Sequence, residues 1–178
     1  IACTLTSAGP YTGTMENCHT VLEYGVGEIT LAGQVAEVVE GEEAVTFRVG
    51  GLVGYANSSA TIKNCSNSLA VTVQGECAGH VDVGGIVGIA NGEISGNINE
   101  GDITSTSKAQ YIYAGGITSY VADSAIILSN NNQANASDIK IGEGNLEVYA
   151  GGIIGYLSDG VSLSFDFVGE ETNLAGSI

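Results

Sequence analysis

Apolar and polar positions along this chain alternate in short runs with period 2. Four runs stand out: Thr46-Phe47-Arg48-Val49, His80-Val81-Asp82-Val83, Tyr111-Ile112-Tyr113-Ala114 and Glu147-Val148-Tyr149-Ala150. Phe47, Val81, Ile112 and Val148 fall in one column, and Val49, Val83, Ala114 and Ala150 in another. That is the alternation of a strand, and β-branched and aromatic residues dominate it. Each run leads into a Gly-Gly pair: Gly50-Gly51, Gly84-Gly85, Gly115-Gly116 and Gly151-Gly152. The first glycines of successive pairs are 34, 31 and 36 residues apart. A repeat of this length is a supersecondary unit that buries its apolar face only by stacking on its neighbours.

After each pair a second strand carries Leu52, Ile86, Ile117 and Ile153, then Tyr55, Ile89, Tyr120 and Tyr156. Small residues separate the two columns: Gly54, Gly88, Ser119 and Gly155. Glycine weakens a strand, so its recurrence implies a bend or a close backbone approach. The Gly-Gly pairs read as the corner of each coil. Turn formers follow (Asn57-Ser58-Ser59, Asn91-Gly92, Asp123-Ser124, Ser158-Asp159-Gly160). A third strand then carries Ile62, Ile94, Ile127 or Leu128, with Val161 and Leu163 in the last copy. Asn17, Asn64, Asn97 and Asn130 read as one column, a stacked asparagine ladder. A fourth strand closes the coil at 29–31, 71–73, 103–104 and 139–141. Acidic linkers at 40–43 and 142–144 read as outward loops.

Three or four strands per repeat, each pairing in parallel with its equivalent one repeat later, give an all-β parallel β-solenoid of about four to five coils. Residues 1–178 form a single domain. Residues 1–48 read as an irregular first coil, which echoes the Asn-Cys element (Met15-Glu16-Asn17-Cys18 beside Ile62-Lys63-Asn64-Cys65) but lacks a Gly-Gly half. Residues 49–178 hold the regular repeats.

The phrase Val49-Gly50-Gly51-Leu52-Val53-Gly54-Tyr55-Ala56, followed by Ile62-Lys63-Asn64-Cys65, resembles the GLUG-repeat proteins. The resemblance spans roughly residues 45–165, and the third copy departs from it with Thr118-Ser119. It implies the surfaces and secreted proteins of bacteria and archaea, adhesin-like chains, and no catalysis by the repeat itself. Some members carry the repeat beside a metalloprotease domain. No His-Glu-x-x-His occurs here, so that activity does not transfer.

Composition narrows the partners. A formal charge of −16 on a chain that is 44% hydrophobic puts acids outside a buried core. Four Lys and Arg against twenty Asp and Glu argue against nucleic acid and anionic membranes. No apolar run reaches the roughly 20 residues of a membrane-spanning helix. The chain opens on Ile1, which reads as a processed or excised form. Richness in Asn, Ser, Thr and Gly, acidity and the lack of Cys-x-x-Cys spacing point to an oxidising, extracellular or cell-surface setting.

Candidate chemistry is sparse. The glycine pairs precede no helix and no Gly-Lys-Ser/Thr, so they read as corners and not phosphate loops. Four cysteines allow three pairings: Cys18 and Cys65 share a column, either as stacked thiols or as a strained disulfide, while Cys3 and Cys77 fall outside the columns as candidates for a clasp. Cys77-x-x-His80 is half a zinc site without its other half. His19 or His80 beside a serine suggests a nucleophilic pair that nothing in the sequence orients. Paired carboxylates suggest a polysaccharide-cleaving β-helix, but four cations cannot hold an acidic substrate. Arg48 and Asp82 read as a ladder ion pair. No calcium-loop motif is present. The tyrosine column reads as packing or as a sugar-stacking stripe. Asn57, Asn64 and Asn135 begin glycosylation sequons.

No catalytic, cofactor or metal site follows from these residues. The expected function is a non-enzymatic extracellular structural protein that self-assembles, as a homo-oligomer or polymer, by coil-on-coil stacking into a sheath, layer or fibre. Five coils give a stack only about 25 Å tall, whose end faces are a large share of its surface. The alternative is an adhesin fragment that binds glycan or host protein on a flat sheet face.

Overall fold

The computed structural model describes residues 2–5, 13–20, 28–35, 44–122, 125–133, 139–143, 147–159 and 161. Among these residues there is no helix, and the strands stack in parallel on their equivalents one coil away, a β-solenoid. Five sheets run along the stack. Sheet 1 holds Phe47–Gly50, His80–Gly84, Tyr111–Gly115 and Glu147–Gly151. Sheet 2 holds Ala2–Leu5, Val53–Ala56, Val87–Ala90, Thr118–Val121 and Ile154–Leu157. Sheet 3 holds Gly13–Glu16, Ala60–Lys63, Glu93–Ser95 and Ile126–Leu128. Sheet 4 is made of two-residue strands, His19–Thr20, Ser66–Asn67, Ile98–Asn99 and Asn131–Asn132. Sheet 5 holds Glu28–Val35, Ala70–Cys77, Ile103–Ser105 and Ile139–Ile141.

Two sequence expectations change. A coil has five strands, because sheet 4 is too short to show an alternation. The first coil also has a sheet 2 strand: Ala2 pairs with Val53 and Thr4 with Tyr55, which places Cys3 in a repeat column and not outside it. The strand read at Leu163 and beyond lies outside the described residues.

The coil encloses two cores. Sheets 2 and 3 bury Leu52, Val53, Ala56, Ile62, Ile86, Val87, Ile94 and Ile117. Sheets 1 and 5 bury Phe47, Val49, Val71, Val73, Val81, Val83, Ile103 and Ile112. Removing each such side chain from water contributes about 1.5–3 kcal/mol. The alternation therefore decides which face of every strand turns inward.

Sheets 3 and 4 meet at a left-handed corner in all four coils where both are described. Asn17 and Asn64 each have φ 53°, Gly96 has 64° and Ser129 has 51°. Asparagine and glycine adopt this conformation readily, whereas serine pays a Cβ–carbonyl clash there. Ser129→Gly is expected to stabilise the chain by about 1 kcal/mol. Urea unfolding tests this, and an unchanged or lower midpoint would contradict the corner.

Candidate functional site

The Gly-Gly pairs lie where sheet 1 turns into sheet 2. None of these glycines has a positive φ, so their requirement is steric. A Cβ on Gly50 would stand 2.7 Å from the Ile86 carbonyl oxygen and 2.8 Å from Gly88 N. A Cβ on Gly51, Gly85 or Gly116 would collide with the glycine carbonyl one coil up (Gly85, Gly116 or Gly152). It would also press on an asparagine amide of sheet 4, 2.6 Å from Asn67 Nδ2 and 2.5 Å from both Asn99 Nδ2 and Asn132 Nδ2.

Those asparagines are the principal ladder, and it is not the one read from the sequence. Register aligns Lys63 with Ser95 and Ser66 with Ile98. Asn64 therefore stacks on Gly96, one residue out of step with Asn97. Asn17 and Asn64 form the left-handed corner. Asn97 and Asn130 do stack: the Asn97 amide donates to Asn130 Oδ1 at 2.9 Å and to the Ile62 carbonyl at 3.0 Å. The longer ladder is Asn67, Asn99 and Asn132. Each lower amide donates to the next Oδ1 at 3.0 Å, and the Thr20 hydroxyl donates to Asn67 Oδ1 at 2.6 Å from below. The Asn67 and Asn99 amides use their second proton on Leu69 and Gly101 carbonyls, both at 2.8 Å. The ladder meets the glycine corners and stands between the two cores. An ungapped alignment on Ile62, Ile94 and Ile127 contains this signal.

Near the corner the backbones of sheets 1 and 2 touch. A Cβ on Gly88 would stand 3.1 Å from both Val49 N and Val49 O. In the third copy Ser119 fills this position and donates to the Gly88 carbonyl at 2.6 Å, so the departure from the motif is accommodated by a hydrogen bond. Away from the corner the facing columns become bulky. The Tyr113 ring lies 5.7 Å from Tyr120, 4.9 Å from Tyr156 and 5.4 Å from Tyr149. Tyr120 and Tyr156 stack at 5.4 Å. His80 packs on Tyr111 and Tyr113 at 4.9 and 5.4 Å. The result is a tyrosine wedge along the stack, with Tyr113 buried and Tyr149 37% exposed. The second column, Tyr113 and Tyr149, adds to the one read from the sequence.

Asp82 sits in this column between Arg48 and Tyr113. The two do not form the expected ion pair: the Arg48 guanidinium lies over the Tyr55 ring, 5.4 Å from its centroid. Asp82 is 1% exposed and its Oδ1 has no hydrogen-bond partner. Burial pushes its carboxyl up to about 7, and the Arg48 charge only partly opposes this. Burial likewise lowers His80, with Arg48 adding to the effect.

The remaining candidates scatter. Cys18, Cys65 and Cys77 are free thiols, so no disulfide joins Cys18 to Cys65 here, and the side chain of Cys3 lies outside the described residues. Cys77 is buried in the core between sheets 1 and 5, donating to the Val45 and His80 carbonyls at 3.0 and 3.3 Å, while Cys3 belongs to sheet 2. No three metal-ligating side chains converge among the described residues. His19 Nδ1 lies 2.8 Å from Ser66 Oγ, a contact between stacked neighbours on an exposed face, and no carboxylate among the described residues pairs with His19. Asn57 Oδ1 accepts from the Ser59 backbone and hydroxyl within its turn, at 3.3 and 3.1 Å. Asn64 is exposed, and Asn135 lies outside the described residues.

No curated protein and no solved structure matches the chain. The family model of the GLUG motif matches residues 46–72, a segment that runs once around the solenoid from the first strand of sheet 1 to sheet 5, so one circuit of this β-solenoid carries a GLUG motif.

Proposed function

We propose that the chain is a non-enzymatic, extracellular structural protein that polymerises by coil-on-coil β-pairing. The observation that supports this is the exposed apolar surface of the last coil among the described residues. Val81 and Ile112 are fully buried, yet Val148, next in the same column, is 44% exposed. The strand Glu147–Gly151 is the outer member of sheet 1. Another coil would cover that apolar surface and pair that edge, and in a polymer a second copy supplies it. Excess negative charge keeps the assembly hydrated. Electron microscopy and sedimentation of the purified chain test the reading. Filaments or sheets with a spacing of about 4.8 Å along the stack are expected, and a monomer at high concentration would refute it.

The tyrosine wedge favours a second reading, an adhesin that stacks neutral glycans on its aromatic face. It predicts glycan-array binding by the monomer. Changing Tyr149 and Tyr156 together to alanine should weaken that binding by about tenfold with little loss of stability. Binding that survives both changes would remove the wedge from consideration.

A further inference from the structure

We propose that Cys18 and Cys65 are the two halves of an inter-coil disulfide, a covalent staple that closes when the chain meets a disulfide-class oxidant. Register places one directly over the other, since Glu16 pairs with Lys63 and His19 with Ser66. Stacked Cα atoms in parallel strands lie about 4.8 Å apart, inside the span of about 4.4–6.8 Å that a disulfide bridges. The residue before each cysteine has the same left-handed φ of 53°, so the two Cβ atoms leave matching backbones. Contacts on both sides hold this register: Lys63 to Glu16 at 3.4 Å, His19 to Ser66 at 2.8 Å and Thr20 to Asn67 at 2.6 Å.

The two cysteines are already in contact. The Cys18 N–H donates to Cys65 Sγ at 3.4 Å, while the Cys18 thiol donates to the Glu16 carbonyl at 3.5 Å and the Cys65 thiol to the Lys63 carbonyl at 3.1 Å. One and two coils higher, this column is occupied by Asn97 and Asn130, where the Asn97 amide donates up to Asn130 Oδ1 at 2.9 Å and the Asn130 amide donates down to the Ile94 carbonyl at 2.7 Å. A thiol is a weak donor and a weak acceptor. Without a covalent bond, the cysteine pair is the weakest link of its column. Oxidation would make it the strongest.

Access sets the order of events. Cys18 is exposed and Cys65 buried. The Cys18 thiolate attacks the oxidant's S–S bond, forming a mixed disulfide and releasing one thiol. Cys65 then loses its proton and attacks Cys18 Sγ, expelling the second thiol. The protein gives up two protons and two electrons, and the oxidant's disulfide becomes two thiols.

The test equilibrates the purified chain with oxidised glutathione, blocks free thiols and maps peptides without reduction. The expected product is a peptide pair joined through Cys18 and Cys65 that reductant separates. A Cys3→Ser/Cys77→Ser variant should gain roughly 5–10 °C in Tm on oxidation, and Cys18→Ser added to it should abolish the gain. Free thiols at both positions after equilibration would overturn the proposal, as would linkage only to Cys3, Cys77 or a second chain. The outcome is read on monomer and does not depend on the polymer reading.

Discussion

Gly85→Ala is expected to cost about 4–5 kcal/mol, enough to unfold most of a chain whose whole stability is about 5–15 kcal/mol. The added methyl would collide with the Gly116 carbonyl oxygen and with Asn99 Cγ, and stand 2.5 Å from Asn99 Nδ2. Neither neighbour can yield. The carbonyl belongs to the next coil's backbone, and the Asn99 amide is held by Gly101 at 2.8 Å and Asn132 at 3.0 Å. Moving the amide leaves buried donors and acceptors unpaired, each at about 1–3 kcal/mol. Moving the coil opens both cores. Thermal circular dichroism reads the result. A Tm within about 3 °C of the parent, on the order of 1 kcal/mol for a chain of this length, would show that the corner does not need glycine.

Wild-type stability should fall as pH rises from about 4 to about 8 relative to an Asp82→Asn variant, by a few kcal/mol in all. The direction follows from the raised carboxyl. Below its ordinary value of 3.8, Asp82 is protonated in both the folded and unfolded chain, so its ionisation adds no pH dependence there. Between there and about 7 the folded chain binds a proton that the unfolded chain does not, so each rise in pH weakens the fold. Above about 7 the carboxylate is charged in both states, and its buried, unpartnered Oδ1 carries the full penalty. The amide that replaces it in the variant cannot ionise. The lowered His80 and the other acids titrate in both proteins, so they cancel in the difference. Urea midpoints at pH 5 and pH 8 decide the matter. Equal pH dependence in the two proteins would mean that Asp82 is solvated or paired.

Much of the fold was legible because the solenoid is written in columns. Phe47, Val81, Ile112 and Val148 align by alternation alone, and the register pairs them. What the sequence hid has physical causes. Sheet 4 strands are two residues long, so no period can show. Asn64 and Asn97 share a residue type for different reasons: one supplies a left-handed backbone, the other an amide that bonds up the stack. A column drawn on identity alone merged them. Arg48 and Asp82 are neighbours in register, but a long guanidinium stem can reach the Tyr55 face instead of its buried neighbour. The candidate site was half visible: Tyr120 and Tyr156 follow the repeat, whereas their contact with Tyr113 and Tyr149 depends on how closely the glycines let two sheets approach.

The asparagine column makes the length of this molecule a matter of whole units. Each rung offers upward the group that the rung below offers it, and the glycine seat beside it is the same at every level. Joining Gly84 directly to Gly116, with the intervening turn of chain excised, would bring together surfaces already built to meet. Duplicating that turn would do the same. Shortening by half a turn would set an amide against a core side chain and leave no seat for it, so such chains grow and shrink by copying or losing complete circuits.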